Sequence, residues 1–159
     1  MKSMTHDLRK KIKMYIKNRL DISELIKDVS IKGEDLSRAI IIRLVKVNCD
    51  LSACNFSGAV IGKEGEIVQL SGSILRDCNF TDVKFIEKIW MRKVDARGSN
   101  FNGCFMPYLE YQYSDMRNCK FCGTIIRLGS KEGYKAKVDG SIFEALSKAW
   151  NVNIEIKEK

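Results

Sequence analysis

The sequence predicts an all-β solenoid, a chain wound into a square coil with a short helical element at each end. Three observations predict it. Large apolar residues recur every five positions, a longer period near twenty overlies the five, and both flanks carry amphipathic stretches that abandon the pattern.

The five-residue period comes first. A small residue stands two places before each large one, as in Cys49-Asp50-Leu51, Cys54-Asn55-Phe56 and Ala59-Val60-Ile61. The pattern resumes at Ser73-Ile74-Leu75, Cys78-Asn79-Phe80 and Val83-Lys84-Phe85, then runs unbroken from Val94-Asp95-Ala96 to Thr124-Ile125-Ile126. Large residues in that run fall at Phe101, Met106, Tyr111, Met116, Phe121 and Ile126. Backwards from Leu51 the frame passes Ile41 and Leu36 but places Lys46 at an apolar position. A period of five fits neither a helix nor a flat strand. It suits a chain that turns a corner after every five residues, so that four corners close one coil. The column Leu36, Phe56, Phe80, Phe101, Phe121 advances in steps of 20, 24, 21 and 20. The surplus four predict an outward loop at Gly62-Lys63-Glu64-Gly65, whose glycines suit a turn. The surplus one predicts a bulge near residues 86–93.

These triplets resemble the motif of pentapeptide-repeat proteins: a small residue, Asp or Asn, Leu or Phe, then two polar residues. The resemblance covers about residues 34–128. It implies a right-handed quadrilateral β-helix of four to five coils, with the small and large residues of each triplet pointing inward. The departures are the loop, the bulge, Lys46, and the apolar residues Ile40, Val60, Phe105 and Ile125 where Asp or Asn is usual.

Both open ends of such a coil expose apolar cross-section, and both flanks are suited to cover it. Residues 1–33 are expected to form a basic N-terminal helical cap. Thr5 caps a helix to about Leu20, with Leu8, Ile12, Ile16 and Leu20 on one stripe. A second short helix starts at Asp21-Ile22-Ser23 and runs to about Asp28. Residues 129–159 are expected to form the C-terminal cap, a helix over 139–150 with Ile142, Phe143, Leu146 and Trp150 inward, then a strand on which Val152, Ile154 and Ile156 alternate.

Composition bounds the function. The chain has 159 residues, 45% hydrophobic and 30% charged, with a net charge of +8. It has no apolar run long enough to span a membrane, and residues 1–13 are too charged for a secretory signal, so a cytoplasmic location is expected. Six cysteines then need no disulfide framework. Five of them (Cys49, Cys54, Cys78, Cys104, Cys119) occupy the small inward site as compact hydrophobes, and Cys122 points outward. Cys119 and Cys122 form a lone C-x-x-C with no second pair and only the distant His6, so no metal site is expected.

Catalysis finds no support either. No nucleophile, base and orienting acid assemble around His6, and no phosphate-binding glycine loop is present. Asp50, Asp95 and Asp115 should stack on one outer face as a solvated ladder. The chain is therefore expected to be no enzyme, with no cofactor and no small-molecule substrate. It reads as a protein-interaction scaffold with a protein partner or a second copy of itself. The candidate face is the outward column Ile40, Val60, Phe105, Ile125, because a continuous apolar stripe is rarely left wet. Residues 1–33 hold nine Lys/Arg against four Asp/Glu. Arg9, Lys10, Lys11, Lys13, Lys17 and Arg19 form a second candidate face, toward nucleic acid or an anionic membrane, though a solvated capping helix explains them as well. The resemblance adds an alternative, since some members of that family bind DNA gyrase by imitating a DNA duplex. Such imitation needs an acidic rod, and a basic chain has the wrong sign.

Overall fold

A computed structural model of the chain describes residues 1–128. The C-terminal cap expected over 129–159, with its helix and strand, lies outside the described residues.

Helix α1 spans His6–Lys17, with the Thr5 hydroxyl accepting the Leu8 N–H at 3.2 Å. It ends earlier than the periodicity suggests. Asn18 caps it, Arg19 takes a left-handed φ of 58°, and Leu20 is consequently exposed rather than part of the apolar stripe. Ile12 is buried, and Leu8, Tyr15 and Ile16 pack beside it. Helix α2 is a single turn, Ser23–Ile26, shorter than the stretch to Asp28 that was expected.

The remaining elements are short strands: β1 Ile40–Ile41, β2 Val60–Ile61, β3 Val68–Gln69, β4 Lys84–Phe85, β5 Ile89–Trp90, β6 Phe105–Glu110 and β7 Ile125–Leu128. All pair in parallel, in the order β1-β2-β4-β6-β5-β3, with β7 on β6. Isolated parallel bridges extend the pairing into four ladders. They run through Ile40, Val60, Lys84, Phe105, Ile125; through Asp35, Asn55, Asn79, Asn100, Lys120; through Asp50, Ile74, Asp95, Asp115; and through Val45, Gln69, Trp90, Glu110. Among the described residues, each inner return of the chain thus hydrogen-bonds to the one before and the one after. Phe56 N–H meets the Asn79 carbonyl at 2.8 Å, and Phe80 N–H meets Asn100 at 2.7 Å.

Between ladders the chain turns by one repeated device. The N–H of the small residue donates to the carbonyl of the large residue three places back, as from Ala59 to Phe56 at 2.9 Å and from Cys104 to Phe101 at 3.2 Å. The residue just before the small one is left-handed, at φ 65° in Gly58 and 68° in Gly103. A single positive φ at the third position of a hydrogen-bonded turn defines type II. Arg38, Ala53, Lys93, Tyr108 and Tyr113 accept the same conformation without being glycine. The corner is therefore imposed by the ladders on either side, and glycine alone does not mark it.

Inside, the large residues stack in columns. Phe56, Phe80, Phe101 and Phe121 form one run, with ring centroids 5.1, 4.9 and 5.2 Å apart and planes within 10°. Leu51, Leu75, Ala96 and Met116 fill the neighbouring column, and all are buried. The geometry already holds at Ile31, where Glu34 N–H closes the same turn and Gly33 is left-handed. On the Val45 face the small inward site is taken by Leu44, Val68, Ile89 and Leu109, all buried. Lys46, Leu70, Met91 and Tyr111 occupy the large site there and are buried too, so the misfit lysine does point inward. The loop around Gly62-Lys63-Glu64-Gly65 leaves the stack as expected, held by Lys63–Glu66 and Arg43–Glu66 ion pairs.

Candidate functional site

The outward column Ile40, Val60, Lys84, Phe105, Ile125 lies on one parallel ladder, in register from β1 to β7. Ile40, Val60 and Phe105 are half-buried, while Ile125 is 57% exposed and Lys84 interrupts the apolar run. The inward neighbours on this ladder, Ile41, Ile61, Phe85, Met106 and Ile126, are fully in the core. The alternation of strand residues between core and outer face is what presents the column outward.

The adjacent face is one that sequence reasoning missed. Ile42, Val45, Val47, Tyr108 and Tyr113 are exposed around the Val45, Gln69, Trp90, Glu110 ladder. β6 crosses the corner between the two faces, carrying Phe105 on one and reaching Glu110 on the other. On this second face Arg92 stacks over the Trp90 ring at 5.2 Å and pairs with the buried carboxylate of Glu110, which also has Lys88 at 4.0 Å. Both tyrosines hold left-handed backbone, φ 55° and 59°, which a bulky side chain rarely adopts. No sequence signal marks them, because a tyrosine at a corner reads as one of two polar filler positions.

The polar ladders are structural. Asp50, Asp95 and Asp115 do stack, with Ile74 between the first two. Each accepts the N–H two residues on, as Ser52 N–H to Asp50 at 2.9 Å, the Asx turn that prepares a corner. Each is also neutralised. Lys32 reaches Asp50 at 2.6 Å, Arg97 and Arg76 both reach Asp95, and Arg117 reaches Asp115 at 2.6 Å. The Lys32 hydrogen bond, seconded by Ser52, holds the Asp50 carboxyl down at about 2. Arg97 first, and then Arg76, hold Asp95 well below the usual range, and Arg117 does the same for Asp115. Carboxylates so paired are poor general acids at neutral pH.

The cysteines divide four to two. Cys54, Cys78, Cys104 and Cys119 are buried, Cys122 is exposed, and Cys49 is half-buried. That last placement corrects the expectation of five inward thiols. Cys49 belongs to the first full turn, and its sulfur meets the Val47 carbonyl at 3.3 Å and Met1 Sδ at 4.0 Å rather than another turn's interior. Burial pushes the Cys54 thiol up to about 11 and those of Cys78 and Cys104 up to about 12. The inward small residues are also more than compact hydrophobes. Cys54 donates to the Ile31 carbonyl at 2.6 Å, Cys78 to Leu51 at 3.1 Å, Cys119 to Ala96 at 2.9 Å and Thr124 to Phe101 at 2.6 Å. Ser99 and Ser114 do the same to Leu75 and Met91. Each reaches a turn carbonyl 23 to 27 residues earlier in the chain. Cys119 is buried and Cys122 exposed, and among the described residues no group of three or more His, Cys, Asp or Glu is placed to hold a metal ion.

On α1, the six cations fare differently. Arg9 forms a bidentate pair with Glu34 at 2.6–3.0 Å, and Lys11 lies 5.7 Å over the Tyr15 ring. Lys10, Lys13, Lys17 and Arg19 are exposed and make no ion pair among the described residues. No described helix is long and apolar enough to cross a membrane.

No family model matches this sequence, and no curated protein sequence matches it either. Among solved structures, the chain is similar to a trypsin-treated variant of QnrB1, a plasmid-mediated fluoroquinolone resistance protein. The identity is 16%, the match covers 77% of this chain and 85% of that one, and the TM-score is 0.27.

Proposed function

We propose that this chain is a pentapeptide-repeat protein, a right-handed quadrilateral β-helix that works as a non-enzymatic protein-interaction scaffold. What supports the fold reading is the four parallel ladders and the type II corner repeated every five residues. The docking surface is the Ile40, Val60, Phe105, Ile125 column, and the observation that carries it is the in-register pairing of Ile40 with Val60 and of Phe105 with Ile125 on one outer face, with Lys84 between the two pairs. Partly exposed Ile, Val and Phe gain free energy when a partner removes them from water, about 25 cal/mol per Å² of apolar surface. A flat, rigid ladder presents them at no ordering cost. Weighing against the DNA-mimic alternative, the acidic ladder is neutralised by Lys32, Arg76, Arg97 and Arg117.

The test combines Phe105→Asp with Val60→Asp, followed by light scattering and thermal melting. The scaffold reading expects loss of a partner, seen as a dimer falling to a stable monomer, or as failure to retain a protein that the native chain captures. An unchanged mass together with unchanged capture would exclude this column as the docking surface. A supercoiling assay with purified gyrase tests the alternative directly, and inhibition by the native chain would favour it.

A further inference from the structure

We infer that Asp21, Ser23 and Lys46 form a polar latch that seals the first edge of the parallel sheet, and that opening it exposes this edge to pairing with a second copy of the chain. The middle rungs among the described residues are hydrogen-bonded on both sides by backbone, but the first rung has no complete turn below it. Its groups are satisfied by substitutes. Backbone supplies part of the seal: Ile22 N–H donates to the Ile40 carbonyl at 3.0 Å, and Lys2 bridges Val29, with Lys2 N–H on the Asp28 carbonyl at 2.9 Å and Ser30 N–H on the Lys2 carbonyl at 2.8 Å. Ile42 N–H donates to Asp21 Oδ1 at 3.0 Å, and Arg43 N–H donates to Ser23 Oγ at 2.8 Å. Side-chain oxygens stand where the carbonyls of another turn would stand. Asp21 is itself fixed by accepting the Ser23 N–H and hydroxyl, at 3.0 and 2.5 Å.

Lys46 locks the same piece from the other direction. Its side chain runs inward, 2% exposed, and Nζ donates to the carbonyls of Ile26, Lys27 and Val29, the latter two at 3.0 and 2.8 Å. These carbonyls lie at and just beyond the end of α2, where cations are favoured and backbone acceptors are short of partners. An ammonium has three donors, and all three are used. Lys46 forms no ion pair among the described residues, and its buried charge rests on those carbonyls with Asp28 as a nearby opposite charge. An apolar residue at 46 would continue the column of Leu70, Met91 and Tyr111 but strand the Lys27 and Val29 carbonyls and leave that of Ile26 only its 3.4 Å bond from Val29 N–H. The lysine that breaks the repeat is thus the residue that ends the stack. An unsealed parallel edge is a template for another chain, and here it is flanked by the exposed Ile42 and Val45.

Hydrogen exchange with light scattering tests the latch. In Lys46→Leu, amides of residues 22–31, together with Ile42 and Arg43, should exchange at least tenfold faster, while the Asn79, Asn100 and Lys120 amides on a distant ladder keep their native rates. The mass should rise with concentration above that of the native chain. Ser23→Ala removes the Arg43 acceptor and the hydroxyl bond to Asp21 but leaves the Lys46 contacts in place, and should show a smaller form of the same pattern, which keeps the test valid if the lysine variant fails to fold. Unchanged exchange at residues 22–31 would overturn the latch. Equal acceleration on the distant ladder would also overturn it, because the lesion would then be global. Faster local exchange without any gain in mass would overturn the edge-sealing role.

Discussion

Cys122 and Cys49 show how far a single position's chemistry follows from where the frame puts it. Cys122 follows Phe121 directly and faces water, whereas Cys54, Cys78 and Cys104 are buried with thiols pushed up to about 11–12. The thiolate is the reactive species. With a disulfide reagent at neutral pH, the native chain should therefore show one fast thiol, Cys122, and one slower, Cys49. The other four should react only on unfolding. A third native thiol reacting at the rate of Cys122 would contradict the inward placement. At the same scale, the corner residues explain a puzzle of composition. A left-handed conformation costs a side-chain-bearing residue about 1–2 kcal/mol, yet Ala53, Arg38 and Lys93 adopt it. The ladder bonds on both sides outweigh that cost.

At the scale of the element, the acidic ladder is a stabilising column whose strength depends on pH. Asp50 is held at about 2 by Lys32 and Ser52, and Asp95 and Asp115 lie below their ordinary 3.8 because of Arg97 and Arg117. The sign follows from linkage. Above the unfolded value, near 4, these groups are ionised in both states and their pairing stabilises the fold. As pH falls from about 4 to 2, the unfolded chain binds protons first, and that stabilisation is lost. The melting temperature should hold from pH 7 to 5 and drop steeply between 4 and 2. Because the pairs are partly exposed, raising salt should weaken the effect. Arg97→Gln should lower the melting temperature at pH 7 and flatten the acid slope, since Asp95 loses its first partner. An acid profile in Arg97→Gln as steep as that of the native chain would remove Asp95 from the explanation.

For the whole molecule, the proposed solenoid makes stability a sum of neighbouring rungs that share one continuous core. The phenylalanine stack tests this. Phe101 packs between Phe80 and Phe121 at 4.9 and 5.2 Å, and stacked rungs above and below fix their own rings. No neighbour can slide into the space, so Phe101→Ala should cost about 3–5 kcal/mol in urea melts. Against a typical total of about 5–15 kcal/mol, that loss leaves a marginal protein. A loss under about 1 kcal/mol would mean that the cavity collapses and that the rungs are not independently fixed. The two apolar outer faces belong to this scale as well. The Ile40 to Ile125 column and the Val45, Tyr108, Tyr113 surround meet at the corner that β6 crosses.

The amino-acid sequence by itself determined which residues go inward. Phe56, Phe80, Phe101 and Phe121 were legible as a column because burial acts on each residue separately and leaves a period of five in the string. The outward column of Ile40, Val60, Phe105 and Ile125 was legible for the same reason. Only the tertiary structure decided who bonds to whom. The carbonyls that Lys46 satisfies lie 17 to 20 residues back, and the carbonyl that Cys78 reaches lies 27 residues back. No local pattern carries a partner at that distance, so a lysine at a core position looked like an error and a cysteine looked like a plain hydrophobe. The helix that stops at Lys17 rather than Leu20, and Cys49 left half-buried, have the same origin. Both sit where the regular stack meets its cap, and there the outcome depends on the shape of the junction rather than on the repeat.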